Sequence, residues 1–355
     1  MDKKITVGIS HGDINGVAYE VMLKALSDQE AYSDKAVVIY GSSKLVAYFK
    51  KNMELDLEVV PVKSAAEAAV GCLSVINCVD DEVKVEPGQS TRMAGQAAFQ
   101  SLEAAVRDLK NGDIDVLVTA PINKQNIQSE FFSFPGHTEY LESVLGNGQK
   151  ALMLMVSEQM RIAVATGHVA LDKVASQLSP AMLTDKIEAL NRSLKEDFDI
   201  ERPRIAVLAL NPHAGDDGVI GLQDKEIVLP AVAEAQKRGI CCFGPLAADG
   251  FFGSDNYTLY DGILAMYHDQ GLIPFKALSD GRGVNFTAGL PFVRTSPAHG
   301  TAYDLAGQNT ANEASFREAF YLATDILARR RRYEEMYRNP LRHQKTEHSG
   351  RDRSE

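Results

Sequence analysis

Short apolar runs of strand length recur along the chain: KITVGIS at 4–10, AVVIYG at 36–41, LSVINC at 73–78, DVLVTAPI at 115–122, ALMLMVS at 151–157, RIAVATG at 161–167, RIAVLAL at 204–210 and GILAMY at 262–267. Between them lie segments with apolar residues at three- and four-residue spacing, such as AAFQSLEAAVRDLKNG (97–112) and LPAVAEAQKRG (229–239). That spacing predicts helices, and the second ends in glycine as helices often do. Strands separated by helices need crossover connections, so the pattern predicts an α/β fold with a mostly parallel sheet. No internal repeat is visible. After EAFYLATDILA (318–328) comes RRRRYEEMYRNPLRHQKTEHSGRDRSE, which is charged and has little to bury. From 339 to 355, beyond Asn339-Pro340, a flexible tail is expected.

Three of the apolar runs end on an imidazole: RIAVATGH on His168, RIAVLALNPH on His213 and GILAMYH on His268. In an open α/β sheet the ligand crevice lies outside the carboxyl ends of the strands. Residues that directly follow apolar runs are therefore expected to converge there. Three imidazoles from separate segments suit a catalytic metal site with open positions. Taken singly, each also fits a hydrogen-bonded structural histidine near a strand end. All six histidines ahead of the tail (His11, His137, His168, His213, His268 and His299) lie beside Gly, Asp or Pro, which places them in loops.

A second theme is anion binding. FPGHTEYLE (134–142) puts His137 and Thr138 ahead of a predicted helix, with Thr138 as its N-cap and free backbone N–H groups suited to an anion. PFKALSDGRGVNFTAGLPFVRTS (274–296) offers Lys276, Asn285 and Arg294 in turn-rich sequence. Lys and Arg with an amide donor suit a phosphate or carboxylate, Arg through its two-pronged geometry. As ordinary surface charges they would need no ligand. The GDINGV loop (12–17) follows the first strand and precedes a helical pattern, an arrangement that holds anions. It does not match G-x-G-x-x-G, and neither that fingerprint nor a phosphate-loop, G-x-S-x-G or H-E-x-x-H motif occurs in the chain.

Bulk composition narrows the classes. At 355 residues the chain suits about two domains, and 45% hydrophobic with 24% charged residues is ordinary for a soluble protein. A net charge of −11 argues against a nucleic-acid surface, though not against a small anion met by local cations. The four cysteines, including the adjacent pair Cys241-Cys242, form no Cys-x-x-Cys and read as reduced, packed thiols. MDKKITVGIS lacks a signal-peptide apolar region, and no window approaches a membrane span, so a soluble, cytoplasmic protein is expected.

Together the motifs TAPINK, PGHTEYLE, ATGHVAL, LNPHAGDDG, AMYHDQGLIPFK and GRGVNFTAGLPFVRTSPAHGTAYDLAG, in this order, resemble the 4-hydroxythreonine-4-phosphate dehydrogenase family. The resemblance runs from residue 5 to about residue 328. It implies the isocitrate/isopropylmalate dehydrogenase-like fold: two α/β subdomains (1–135 plus 292–338, and 136–291) with a cleft between them, in a homodimer. It implies NAD-dependent oxidation and decarboxylation of a small phosphorylated hydroxy-amino acid in pyridoxal phosphate biosynthesis. By that resemblance His168, His213 and His268 match the ligands of a divalent metal (zinc, cobalt, magnesium or manganese), the third coming across the dimer interface. His137, Thr138, Lys276, Asn285 and Arg294 match substrate-binding positions. Lys276 is implied as base or relay, with Asp249 or Asp269 assisting. His299, Gly300, Thr301 and Asn312 match a cofactor loop at the adenosine end of NAD. One departure stands out: the first loop of the family reads like G-D/E-P-A-G-I-G-P-E, whereas GDINGVAYE has lost both prolines and gained Asn15 and Tyr19. Two other readings are a family relative acting on 4-phosphothreonate- or erythronate-type acids, and a metallohydrolase in which the metal activates water.

Overall fold

The computed structural model describes residues 4–80 and 82–338. Its strands are β1 (Ile5–Ser10), β2 (Lys35–Gly41), β3 (Val60–Val62), β4 (Leu73–Asn77), β5 (Val116–Thr119), β6 (Leu152–Val156), β7 (Arg161–Val164), β8 (Ile205–Leu208), β9 (Cys242–Leu246), β10 (Gly262–Ala265), β11 (Val284–Ala288) and β12 (Val293–Pro297). They form one sheet in the order β3-β4-β2-β1-β5-β12-β11-β6-β7-β10-β8-β9. The first six in that order run parallel to one another, as do the last four. Between these halves β11 and β6 pair antiparallel with each other and with their outer neighbours, so the two parallel halves point in opposite senses. The fold is α/β with a mostly parallel sheet.

The strands missing from the apolar pattern are β3, β9, β11 and β12. β3 is three residues long and largely exposed. β11 and β12 carry the half-buried Asn285 and the buried Thr287, Arg294, Thr295 and Ser296. Polar residues that face a site interrupt the hydrophobic signal, and Gly289 and Pro291 between the strands read as a turn-rich stretch. Lys276 likewise lies in a helix, His268–Leu278, whose period is masked by Gly271 and Pro274.

Helix ends follow local chemistry. Arg92–Asn111 starts where the Thr91 hydroxyl accepts from Ala94 N and stops at Gly112, whose φ of 79° is left-handed. Pro180–Glu196 starts on a Ser179 cap with proline in its first turn. The C-terminal helix Ala314–Tyr337 buries Phe316, Phe320, Ala323 and Ile326 against β12, β11 and β5. Its arginine run, which its charge alone would leave unpaired in solvent, is engaged by carboxylates. Arg330 Nε bonds buried Asp197 at 2.5 Å, Arg331 reaches Asp115 and Arg332 reaches Asp199. Arg329 also lies over the Phe198 ring. The tail expected from 339 lies outside the described residues. All four cysteines are free thiols. Among the described residues no helix is long and apolar enough to cross a membrane.

Candidate active site

A cavity of about 420 Å³ opens where the two parallel halves meet. Its walls come from the segment after β5 (Pro121, Lys124), the first turn of helix His137–Leu145, the end of β7 (Gly167, His168), helix His268–Leu278 (His268, Lys276), and strands β11 and β12 with the turn beyond them (Asn285, Arg294, Ser296, His299, Gly300). Residues far apart in sequence thus share one hollow because β5-β12-β11-β6-β7-β10 are neighbours in the sheet.

Arg294 dominates its electrostatics. The side chain is buried on β12, and its Nε and Nη2 donate to Thr119 Oγ1 on β5 while Nη1 donates to Thr287 Oγ1 on β11. Among the described residues no carboxylate bonds it. Burial pulls the guanidinium down to about 9, with Glu139 acting in the opposite direction, so it remains charged at neutral pH. A buried, unpaired cation is costly unless an anion completes it. Three buried polar atoms on the same walls also lack any partner within the protein: His137 Nε2, Asn285 Oδ1 and His299 Nε2. Native interiors leave few such atoms unsatisfied, and those at a site mark where a ligand binds.

His137 is held neutral, chiefly by burial and further by Arg294 and Lys124, which put its pKa well below the ordinary range. His299 is lowered mainly by burial, while its Nδ1 contacts Gly300 O at 2.9 Å. Thr138 is not the helix cap. The N-cap is Gly136 without a side-chain bond, and Thr138 lies in the first turn facing the cavity. His137 and His268 are each the first residue of a helix and not loop residues.

The three strand-end histidines do not all meet. β7 and β10 are adjacent, and they bring His168 and His268 to 5.5 Å between ring centroids within one chain. His168 is lowered first by burial, then by Lys124 and His268. His268 Nδ1 lies 2.7 Å from Asp269 Oδ1, which orients the ring and leaves Nε2 toward the cavity side. His213 stands apart. The buried Asp224 carboxylate accepts from Leu210 N, Asn211 N and Asn211 Nδ2, and the chain then runs left-handed from His213 to Asp217. This leaves His213 exposed beyond β8, so the imidazole missing from the pair is His213 and not His268. Among the described residues no group of three His, Cys, Asp or Glu could hold a metal within one chain. Two adjacent imidazoles, one with a carboxylate behind it, fit part of a divalent-metal donor set. Asp249 is exposed on a short helix after the edge strand β9, three strands from β7. At about 4.8 Å per strand that is roughly 14 Å along the sheet, so Asp249 does not serve its own chain's cavity.

Of the expected cofactor loop, His299 and Gly300 line the cavity. Thr301 O is committed to Val17 N at 2.9 Å, with Gly16 packed so closely that a Cβ would sit 2.5 Å from that oxygen. The exposed Asn312 spends its Oδ1 on Ala314 N at the start of the C-terminal helix. The atypical first loop is anchored by side chains where prolines are lacking. Buried Asp13 accepts from Asn15 N, Asn126 Nδ2 and Tyr303 Oη, and Asn15 bonds Glu86 N, Gln89 O and Thr91 Oγ1. Tyr19 stacks between His11 and Phe49.

Lys124, Glu139 and Lys186 also line the cavity and were not singled out from the sequence. Lys124 and Glu139 sit inside TAPINK and PGHTEYLE, where the motif itself was the only available signal. Lys186 lies on helix Pro180–Glu196 with nothing local to mark it.

The family model described as pyridoxal phosphate biosynthetic protein PdxA matches residues 33–323. A 4-hydroxythreonine-4-phosphate dehydrogenase of Bacteroides thetaiotaomicron is 53% identical over 343 residues, covering 97% of this chain and 94% of its own. One from a Sulfurihydrogenibium species is 41% identical over 326 residues, covering 92% and 99%. The crystal structure of 4-hydroxythreonine-4-phosphate dehydrogenase from Klebsiella pneumoniae superposes with a TM-score of 0.78 at 32% identity, covering 92% of this chain and 98% of that one.

Proposed function

The chain belongs to the PdxA family of pyridoxal phosphate biosynthetic proteins, and from that membership we propose that it is a soluble cytoplasmic dehydrogenase that oxidises 4-phosphohydroxy-L-threonine at C3 with NAD and releases the C1 carboxylate as carbon dioxide. The product is 3-amino-2-oxopropyl phosphate. The observation that carries the reading is the buried, carboxylate-free Arg294 in a cavity that also holds the His168–His268 pair. A phosphorylated hydroxy acid supplies the anion that Arg294 lacks.

The chain's own groups divide the work. Arg294, Asn285, His137 and Thr138 grip the anionic groups and align the C3–H bond, turning remote binding into orientation. Lys276, which lines the same cavity, serves as base or relay for the C3 hydroxyl proton, accepting it only as the free amine. Asp269 holds the His268 ring in place. His168 and His268, with His213 of the partner subunit, would hold a divalent ion, which supplies Lewis acidity at the C3 oxygen and the carboxylate. His299 and Gly300 border the side where NAD, the hydride acceptor, would lie.

Support for a shared site comes from the far half of the sheet. Val219, Leu222, Leu229, Phe243 and Leu259 are exposed apolar residues on or near the segments that carry His213 and Asp249. Apolar surface of this kind marks an interface, and a two-fold dimer would bring these segments to the partner's cavity. The left-handed run at 213–217 costs about 1 kcal/mol or more per non-glycine residue, which fits a loop held for function.

The test is absorbance at 340 nm with NAD, divalent metal and 4-phosphohydroxythreonine, run beside 4-phosphothreonate. Turnover of the amino substrate that is abolished by His268→Ala, with the fold intact by circular dichroism, is expected. Absence of NAD reduction with either substrate would overturn the proposal.

A further inference from the structure

The turn that follows His299 and Gly300 is strained. Ala302 has a φ of 43°, a left-handed conformation that crowds any side chain and persists only where the surroundings impose it. Two bonds from the first loop impose it here, one on each side. Val17 N donates to Thr301 O at 2.9 Å, and Tyr303 Oη donates to Asp13 Oδ2 at 2.8 Å. Burial first, and then Asp13, push the Tyr303 hydroxyl up to about 12, so it stays a donor at neutral pH. Asp13 is itself buried and fixed. Its N–H donates to Pro121 O, and its carboxylate accepts from Asn15 N and Asn126 Nδ2, each at 2.8 Å. Asn15 then ties the loop to Glu86, Gln89 and Thr91. The clamped turn carries two residues onto the cavity wall: His299, whose Nε2 is buried without a partner, and Gly300, where an added Cβ would meet nothing within 4 Å.

We propose that Asp13 is a positioning residue for the cofactor side of the cavity: acting through Tyr303, it holds the Ala302 turn and so keeps His299 and Gly300 in the arrangement that receives the dinucleotide. This rests on the reading that NAD lies against His299 and Gly300. Asp13 does not line the cavity, so it acts only through the groups it bonds. A segment ordered before its ligand arrives loses less freedom on binding, so loosening the clamp weakens the cofactor's affinity. The phosphate-binding wall is untouched, because Arg294 is held by Thr119 and Thr287.

The experiment measures NAD binding to the full-length protein by calorimetry, without turnover, beside steady-state kinetics. The proteins are wild type, Tyr303→Phe, Asp13→Asn and Tyr40→Phe, each checked for folding by its thermal melt. Tyr40 Oη makes the same kind of bond, to buried Asp108 Oδ2 at 2.7 Å, in the same half of the sheet but away from the cavity. Its loss therefore reads general loosening. Tyr303→Phe should weaken NAD binding about 10-fold and raise the KM for NAD alike, while kcat at saturating NAD and the KM for 4-phosphohydroxythreonine stay near wild type. Asp13→Asn should weaken NAD binding at least as much, and Tyr303→Phe, which deletes one hydroxyl, carries the test should Asp13→Asn fail to fold. Tyr40→Phe should bind NAD as wild type does. NAD affinity unchanged in Tyr303→Phe, or lowered equally in Tyr40→Phe, would overturn the proposal and leave the cofactor reading standing. Wild type that neither binds nor reduces NAD would remove the cofactor reading and this inference with it.

Discussion

Arg294 and His11 show how single buried groups report function and stability separately. Arg294 spends three N–H groups on Thr119 and Thr287 and has none paired with a carboxylate. A charge-assisted bond is worth about 1.5–3 kcal/mol, and a factor of ten is about 1.4 kcal/mol. Arg294→Met should therefore lower kcat/KM by about 10- to 150-fold in steady-state assays, with Arg294→Lys recovering only part of it. His11 is buried and stacked on Tyr19, and desolvation brings its pKa down to about 4 from 6.5. Between those values the unfolded chain binds the proton and the folded chain does not, so stability falls as pH drops from 6.5 toward 4. At 1.36 kcal/mol per unit the share of His11 is about 3 kcal/mol. Urea melts at pH 7 and pH 4.5 should show a smaller loss for His11→Phe than for wild type, and an equal loss would refute this.

Among the elements, the C-terminal helix Ala314–Tyr337 is the one whose sequence misleads. Its four consecutive arginines read as a solvated face, yet they reach Asp325, Asp197, Asp115 and Asp199. Asp115 precedes β5 in one parallel half, while Asp197 and Asp199 follow the helix Pro180–Glu196 in the other, so the helix ties both halves together. The contributions are unequal. Arg330 and Asp197 are both nearly buried, and Arg330→Met strands a charge, which costs about 3–5 kcal/mol. Arg332 is 58% exposed, and Arg332→Met should cost less than about 1 kcal/mol. Denaturant midpoints of the two variants decide it. Three of these pairings were not legible because Asp197, Asp115 and Asp199 lie more than a hundred residues from their arginines, whereas Asp325 is one helical turn from Arg329.

For the molecule as a whole, the proposed two-fold dimer determines which subunit would supply which imidazole. One chain pairs His168 with His268 and leaves His213 exposed on the other side of β10. If His213 acts in the partner's cavity, His168→Ala and His213→Ala homodimers are both inactive, but a mixed dimer holds one intact site. Random reassociation of equal amounts should then restore about a quarter of wild-type activity. No recovery after demonstrated subunit exchange would refute a role for His213 in the partner's cavity. The proposed subdomain division is compatible with the same picture, since β6 to β11 lie within 136–291 and the remaining strands outside it.

Local order in the sequence determined the α/β class, the eight apolar strands, the helices that link them and most residues of the cavity, because periodicity and short motifs are properties of neighbouring residues. Arg294 and Asn285 were legible as chemistry but not as strand residues, since the polar groups a site needs erase the alternation that marks a strand. Only the tertiary structure decided that the strands order as β5-β12-β11-β6-β7-β10, and that order places Lys124 against His168 and leaves Arg294 with no counter-ion. It also separated His213 from the pair it resembles in sequence. Strand neighbours are chosen by packing over the whole chain, and no stretch of sequence carries that information by itself.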